Sequence, residues 1–212
     1  VTVLNTQPSI DSVTVEPSEA RTGETVDCTA VALSDIDGDV VTPLTSWTVD
    51  GAEVGTESTI SSGFHKGDTL TCTVTPHDGE SAGDAMSASI TVVNTPPSVG
   101  LATLFPYPLT TAESPSCVAE DTTDADGDPV TLAYTWIING AAAVPGSADL
   151  DASLTGGDTV QCTITPSDDD EPGESVTSEV LTVTSSSPEI TSLVLSPETL
   201  RTDDKLTAHV AI

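Results

Sequence analysis

The stretch Gly67-Asp68-Thr69-Leu70-Thr71-Cys72-Thr73-Val74-Thr75-Pro76 decides the fold, because it occurs twice. It returns ninety positions later as Gly157-Asp158-Thr159-Val160-Gln161-Cys162-Thr163-Ile164-Thr165-Pro166. In each copy apolar side chains (Leu70, Cys72, Val74; Val160, Cys162, Ile164) alternate with polar ones. An alternation of period two is the mark of a half-buried antiparallel strand.

Outward from this strand the whole chain repeats. Asn5-Thr6-Gln7-Pro8-Ser9-Ile10 is echoed by Asn94-Thr95-Pro96-Pro97-Ser98-Val99, and Asp35-Ile36-Asp37-Gly38-Asp39 by Asp124-Ala125-Asp126-Gly127-Asp128. Trp47-Thr48-Val49-Asp50-Gly51 is matched by Trp136-Ile137-Ile138-Asn139-Gly140. A further copy opens at Ser187-Pro188-Glu189-Ile190, and Val1–Asn5 matches Ile90–Asn94, the last strand of the first copy. The expected division is therefore residues 1–5 as the last strand of a preceding repeat, 6–94 and 95–185 as two complete repeats, and 186–212 as the opening strands of a third. A segment of a longer tandem array has this form. So has a subunit that exchanges strands with its neighbours, although its two ends together would lack the middle of a repeat.

Other segments read as strands too. Val26, Cys28, Ala30 and Ala32 alternate with Thr25, Asp27, Thr29 and Val31; so do Met86, Ala88, Ile90 and Val92 with their neighbours, and Leu132, Tyr134, Trp136 and Ile138 with theirs. Asp50-Gly51 and Asn139-Gly140 are hairpin turns, since Asp and Asn tolerate positive φ and Gly has no Cβ to clash. About seven short strands in each repeat of about 90 residues predict an all-β chain of tandem two-sheet sandwiches.

Composition narrows the function. Thirty-four Asp and Glu face four Lys and Arg, a formal charge of −30 at pH 7. So few cations neutralise few phosphates, which argues against nucleic-acid binding. Anionic membrane surfaces repel such a chain, and no apolar run approaches the length of a membrane span. Aromatics are 3 % of the residues, whereas Thr contributes 35 and Ser 24. These hydroxyls suit outward strand positions, where they meet water or carry O-linked glycan. Val1–Asn5 lacks the basic start of a signal peptide, as expected of a mature or excised piece.

Each repeat has two cysteines, 44 or 45 residues apart, with a Trp 19 residues after the first. Zinc is a poor alternative, because no two cysteines are close in sequence and His65, His77 and His209 are not spaced to help. The pattern resembles the immunoglobulin-like arrangement. That resemblance implies one disulfide per complete repeat, Cys28–Cys72 and Cys117–Cys162, with Trp47 and Trp136 packed in the cores. It also implies an oxidising compartment. Two departures are visible. Leu70 and Val160 stand where a tyrosine would precede the second cysteine, and Ala208 stands where the third copy would have its first.

Asp-x-Asp-Gly-Asp is the sharpest charged motif. Alternating carboxylates around a glycine turn can converge on one hard cation. It is no EF-hand, because the downstream Glu and the helical flanks are missing. In an immunoglobulin-like sandwich this loop shares an end with the loop after the second cysteine, which carries Asp78 and Glu80 in one repeat and Asp168, Asp169, Asp170 and Glu171 in the other. The linkers from Asn5 and Asn94 arrive there as well. Calcium held by Asp35, Asp37, Asp39 and Asp78, and by Asp124, Asp126, Asp128, Asp168 and Asp169, is the functional expectation. A solvated acidic turn is the bland alternative.

Catalysis has little support. No His site is repeated, no Gly-x-Ser-x-Gly elbow occurs, and Trp47 and Trp136 sit where a core needs them. Phe64, Phe105 and Tyr107 are the aromatics expected at the surface. Together the motifs are similar to polycystic-kidney-disease-like and bacterial immunoglobulin-like repeats of large secreted or cell-surface proteins. The Asp-x-Asp-Gly-Asp-then-Trp order also resembles cadherin-like modules with junctional calcium. The resemblance implies a non-enzymatic repeat of an extracellular fibre, surface filament or adhesin stalk, in contact with neighbouring repeats or a homopolymer. The alternative is a glycan- or ligand-binding module of a secreted protein, with a glycan or cell-surface partner.

Overall fold

A computed structural model describes residues 4–142, 144–187 and 190–211. Among them there is no helix, and all pairings between the strands of the first repeat are antiparallel. Strands β1 (Ser12–Glu16), β2 (Val26–Val31), β3 (Thr42–Val49), β4 (Ala52–Gly55), β5 (Thr59–Ile60), β6 (Thr69–His77) and β7 (Met86–Thr91) form the first repeat. They make two sheets, β1-β2-β5 and β4-β3-β6-β7. The second repeat contains β8 (Ser98–Phe105), β9 (Ser116–Thr123), β10 (Thr131–Ile138), β11 (Val144–Gly146), β12 (Thr159–Ser167), β13 (Val176–Thr177) and β14 (Leu181–Thr182). Here β8 pairs with β9, and β11-β10-β12-β13 form the facing sheet, with β14 also on β12.

The alternation read from the sequence is the alternation of burial. Along β6 every second residue from Leu70 to Pro76 is buried, and β12 repeats this from Val160 to Pro166. Trp47 and Trp136 are 1 % and 2 % exposed. Each indole N–H donates to a backbone carbonyl, that of Glu57 at 3.1 Å or Ser147 at 2.9 Å, so neither is left unpaired in the core. Disulfides Cys28–Cys72 and Cys117–Cys162 join β2 to β6 and β9 to β12. Closing loops of this length stabilises each repeat by about 4 kcal/mol in the chain-entropy model. With two sheets, a cross-sheet disulfide and a packed Trp, the repeats have the immunoglobulin-like sandwich fold.

Phe64 corrects an expectation. It is 2 % exposed and belongs to the first core with Val26, Leu70 and Val92. A large apolar side chain in a loop is drawn inward when an aromatic-poor core has room for it. Phe105 and Tyr107 are exposed, at 65 % and 79 %.

The outward face of β6 carries Thr69, Thr71, Thr73 and Thr75. Thr71 bonds Ser89 and Thr73 bonds Ser87, each at 2.8 Å, and the second repeat pairs Thr163 with Thr177 and Thr165 with Ser175. Cross-strand hydroxyl pairs such as these favour sheet pairing without burying charge.

Two compact units emerge from the chain. One comprises residues 4–99, 121–132 and 165–175; the other comprises 100–120, 133–164 and the described residues from 176 onward. The first unit thus contains the first sandwich with the acidic loops 121–132 and 165–175. In the second, β15 (Ser192–Ser196) and β16 (Thr207–Ala211) form a hairpin with Leu195 opposite Ala208. This register matches Val15 opposite Cys28. Val1–Val3, Pro188, Glu189 and Ile212, which belong to the expected terminal strands, lie outside the described residues, and Leu4 and Asn5 are in no strand.

Candidate functional site

The first unit holds two copies of one loop arrangement. In each Asp-x-Asp-Gly-Asp loop the first Asp closes an Asx turn. Asp35 Oδ1 accepts the N–H groups of Asp37 (2.8 Å) and Asp39 (3.2 Å); Asp124 Oδ1 accepts those of Asp126 (2.9 Å) and Asp128 (3.0 Å). Gly38 and Gly127 provide the positive φ of these turns, +86° and +80°. The turn folds the alternating carboxylates towards one point: within each triad, one carboxylate oxygen per residue lies within 4.8 Å of the others.

The loop after the second cysteine is tied by its own aspartate. Asp78 Oδ1 accepts the N–H groups of Glu80 (2.7 Å) and Ser81 (2.6 Å), and Asp168 Oδ1 those of Asp170 (2.8 Å) and Glu171 (2.7 Å). Both loops are then bonded to the entering linker. Asn5 Nδ2 donates to Asp78 Oδ2 and Asn94 Nδ2 to Asp168 Oδ2, each at 2.9 Å. The Thr6 N–H donates to Asp37 Oδ2 and the Thr95 N–H to Asp126 Oδ2, each at 2.6 Å. Linker and two acidic loops thus meet in both copies. Asp169 is exposed and lies outside the triad. Asp78 and Asp168 fasten the linker instead of joining the triads.

These bonds set the charge states. The Asn94 amide, then the Glu171 N–H, holds the Asp168 carboxyl below the usual carboxylate range, although the residue is only 8 % exposed. Asn5, followed by the Ser81 N–H, does the same for Asp78. Burial is the largest influence on Asp126 and pushes it up. The Thr22 hydroxyl and the Thr95 N–H outweigh that push, and the group ends below its ordinary value.

Sequence reasoning missed the basic residues. Lys66 Nζ donates to Asp128 Oδ2 at 2.6 Å and also to Asp170. Arg21 donates to Glu171 Oε1 at 2.8 Å and to the Asn94 carbonyl, and the Thr22 hydroxyl donates to Asp126. The carboxylates of Asp128 and Glu171 raise the pKa of Lys66 and Arg21 respectively. Their rarity was the available signal, because Arg21 and Lys66 are two of four cations in the whole chain.

Four buried oxygens in these loops and the second linker have no partner: Asp35 Oδ2, Asp124 Oδ2, Asn94 Oδ1 and Thr95 Oγ1. Buried polar atoms are normally satisfied, so each orphan has a reason to be sought. Carboxylate, amide and hydroxyl oxygens are the ligands of hard cations such as calcium, and the residues present fit that group.

Elsewhere, a cleft of about 450 Å³ in the second repeat is lined by Trp136, Val144, Pro145, Leu150 and neighbouring residues. His77 Nδ1 accepts the Gly79 N–H at 2.9 Å, a bond that closes its turn. No helix among the described residues is long and apolar enough to cross a membrane.

No protein-family model matches the chain, and no curated protein does. Among solved structures it is similar to a two-domain fibronectin type-III segment of chicken tenascin, at 10 % identity and TM-score 0.39, over 82 % of this chain and 98 % of that one. It is also similar to three N-terminal domains of the highly immunogenic outer capsid protein of bacteriophage RB49, at 18 % identity and TM-score 0.33, over 85 % and 71 %. Titin domains A168–A170 match at 10 % identity and TM-score 0.35, over 86 % and 68 %. All three are likenesses of tandem β-sandwich chains, too loose to say what this one does.

Proposed function

We propose that the chain is a structural repeat segment of an extracellular fibre, surface filament or adhesin stalk, with calcium held at its acidic loops. The observation that carries this reading is the duplicated anchoring of linker to loops, Asn5–Asp78 with Thr6–Asp37 and Asn94–Asp168 with Thr95–Asp126. A device repeated with the sandwich serves the array, whereas a lone catalytic or ligand site would need only one copy. Repeats at 6–94 and 95–185 are its units, and the β15–β16 hairpin begins another copy. Two disulfides and the resemblance to polycystic-kidney-disease-like and cadherin-like modules favour the exterior.

In this reading calcium is ligated by Asp35, Asp37 and Asp39 in one loop and by Asp124, Asp126 and Asp128 in the other. The unpartnered Asn94 and Thr95 oxygens are further donors for the second. A bound cation would neutralise carboxylates that otherwise repel one another and would tie the linker to both loops. Calorimetric titration of chelator-treated protein with calcium tests this. Binding at both triads with a rise in melting temperature supports it, since ligand at a hundred times Kd adds about 2.7 kcal/mol to stability. No heat and no melting shift would reject the metal. The fibre role is tested separately by electron microscopy of native assemblies: periodic filaments support it, and isolated monomers with sugar affinity overturn it.

Exposed Phe105 and Tyr107 favour a second reading, a glycan- or ligand-binding module. They have no aromatic counterparts in the first repeat, where Glu16 and Ser18 stand.

A further inference from the structure

We infer that Lys66 is a resident counter-ion that competes with a divalent cation for the second acidic loop and so sets the two loops to different cation thresholds. The inference rests on the reading that these loops hold calcium. Asp128 belongs to the second triad, and its Oδ2 is 2.6 Å from the Lys66 ammonium, which also bonds Asp170. The same triad receives the Thr22 hydroxyl at Asp126, and Arg21 pairs with Glu171 on the adjoining loop. A divalent ion at Asp124, Asp126 and Asp128 would draw Asp128 away from Lys66 and face a fixed positive charge nearby. The first triad, Asp35, Asp37 and Asp39, has no Lys or Arg ion pair among the described residues. It would therefore fill at lower cation concentration, and the second would fill only as Lys66 is displaced.

The asymmetry is written into the repeats. The second repeat has Thr110 and Thr111 at the places of Arg21 and Thr22, and Gly156 at the place of Lys66. The turns superimpose in bonding: the Arg21 N–H donates to Glu24 and the Thr110 N–H to Glu113. A Cβ at Gly156 would collide with the Ser185 hydroxyl, so a lysine there would require at least that side chain to turn aside. Counter-ion and competitor are thus supplied by one repeat and withheld by the next. Lys66 and Asp128 are each about one-third exposed, which leaves the ammonium free to swing into water when a stronger cation arrives.

The test is a calcium titration of the full chain by calorimetry, with Asp37→Asn to silence the first loop and Asp126→Asn to silence the second. Wild type should show two steps, the weaker one lost in Asp126→Asn. Lys66→Met should tighten that weaker step by about tenfold, the scale of one nearby unit charge in a partly solvated site. Lys66→Arg, which keeps the charge, should leave it near wild type, and a melting curve for each variant verifies folding. Equal affinities in wild type and Lys66→Met, or a weaker second step in Lys66→Met, overturn the competition while leaving the calcium reading standing. Absence of binding in wild type and in Lys66→Met alike sinks the calcium reading, and the competition with it.

Discussion

Asp168 keeps a carboxylate where only 8 % of the residue reaches solvent. Burial alone would favour the neutral acid, so the bonds from Asn94, Glu171 and Asp170 must more than offset it. The folded-state pKa is below the ordinary 3.8. The stability these bonds contribute is therefore complete above about pH 5 and is lost as the pH falls through the folded value. Asp78 has the same sign, through Asn5 and Ser81. Hydrogen exchange should show the Asp170 and Glu171 amides losing protection on acidification before the amides of disulfide-linked β12, and Asn94→Ala should move that loss to higher pH. Simultaneous loss in loop and strand would show that these carboxylates fasten nothing locally. The acidic motifs were plain in the sequence because they are local. Their assignment between triad and linker was not, since whether Asp168 points to a cation or to Asn94 depends on a contact 74 residues away.

At the scale of elements, alternation and turn chemistry made much of the sandwich legible. Asp50-Gly51 and Asn139-Gly140 adopt positive φ at both positions, as a tight right-twisted hairpin requires. The buried Phe64 was illegible because a lone aromatic in a loop has no periodic neighbours to orient it. Gly83 and Gly173 were equally silent. The Gly83 N–H donates to Pro76 and that of Gly173 to Pro166, and a Cβ at either would collide with a linker carbonyl, that of Pro8 or Pro97. These glycines allow the linker to lie against the sandwich. Gly173→Ala should therefore lower stability by about 1–3 kcal/mol, the usual cost of overpacking. Gly55→Ala is the control, because a Cβ there meets nothing within 4 Å. Equal urea midpoints for Gly173→Ala and wild type would show that the linker carbonyl is free to move aside.

For the whole molecule, the question is which electrostatic effect dominates. Thirty-four acidic groups repel one another against four basic ones. Opposing that, Arg21 and Lys66 form ion pairs whose side chains are about one-third exposed, and pairs of that kind contribute little. Salt weakens both effects, but repulsion acts among many pairs over the roughly 30 Å screening length at 0.01 M, which shrinks to about 10 Å at 0.1 M. Repulsion should therefore win, and sodium chloride raised from about 10 mM to 0.1 M should increase the melting temperature by several degrees. Calcium chloride at matched ionic strength should add a further rise, because ligation at the triads acts beyond screening. A melting temperature that falls with sodium chloride would mean that the few ion pairs outweigh the polyanion. An equal rise with either salt would mean that the carboxylates answer only to ionic strength, and that their convergence in each triad binds no ion.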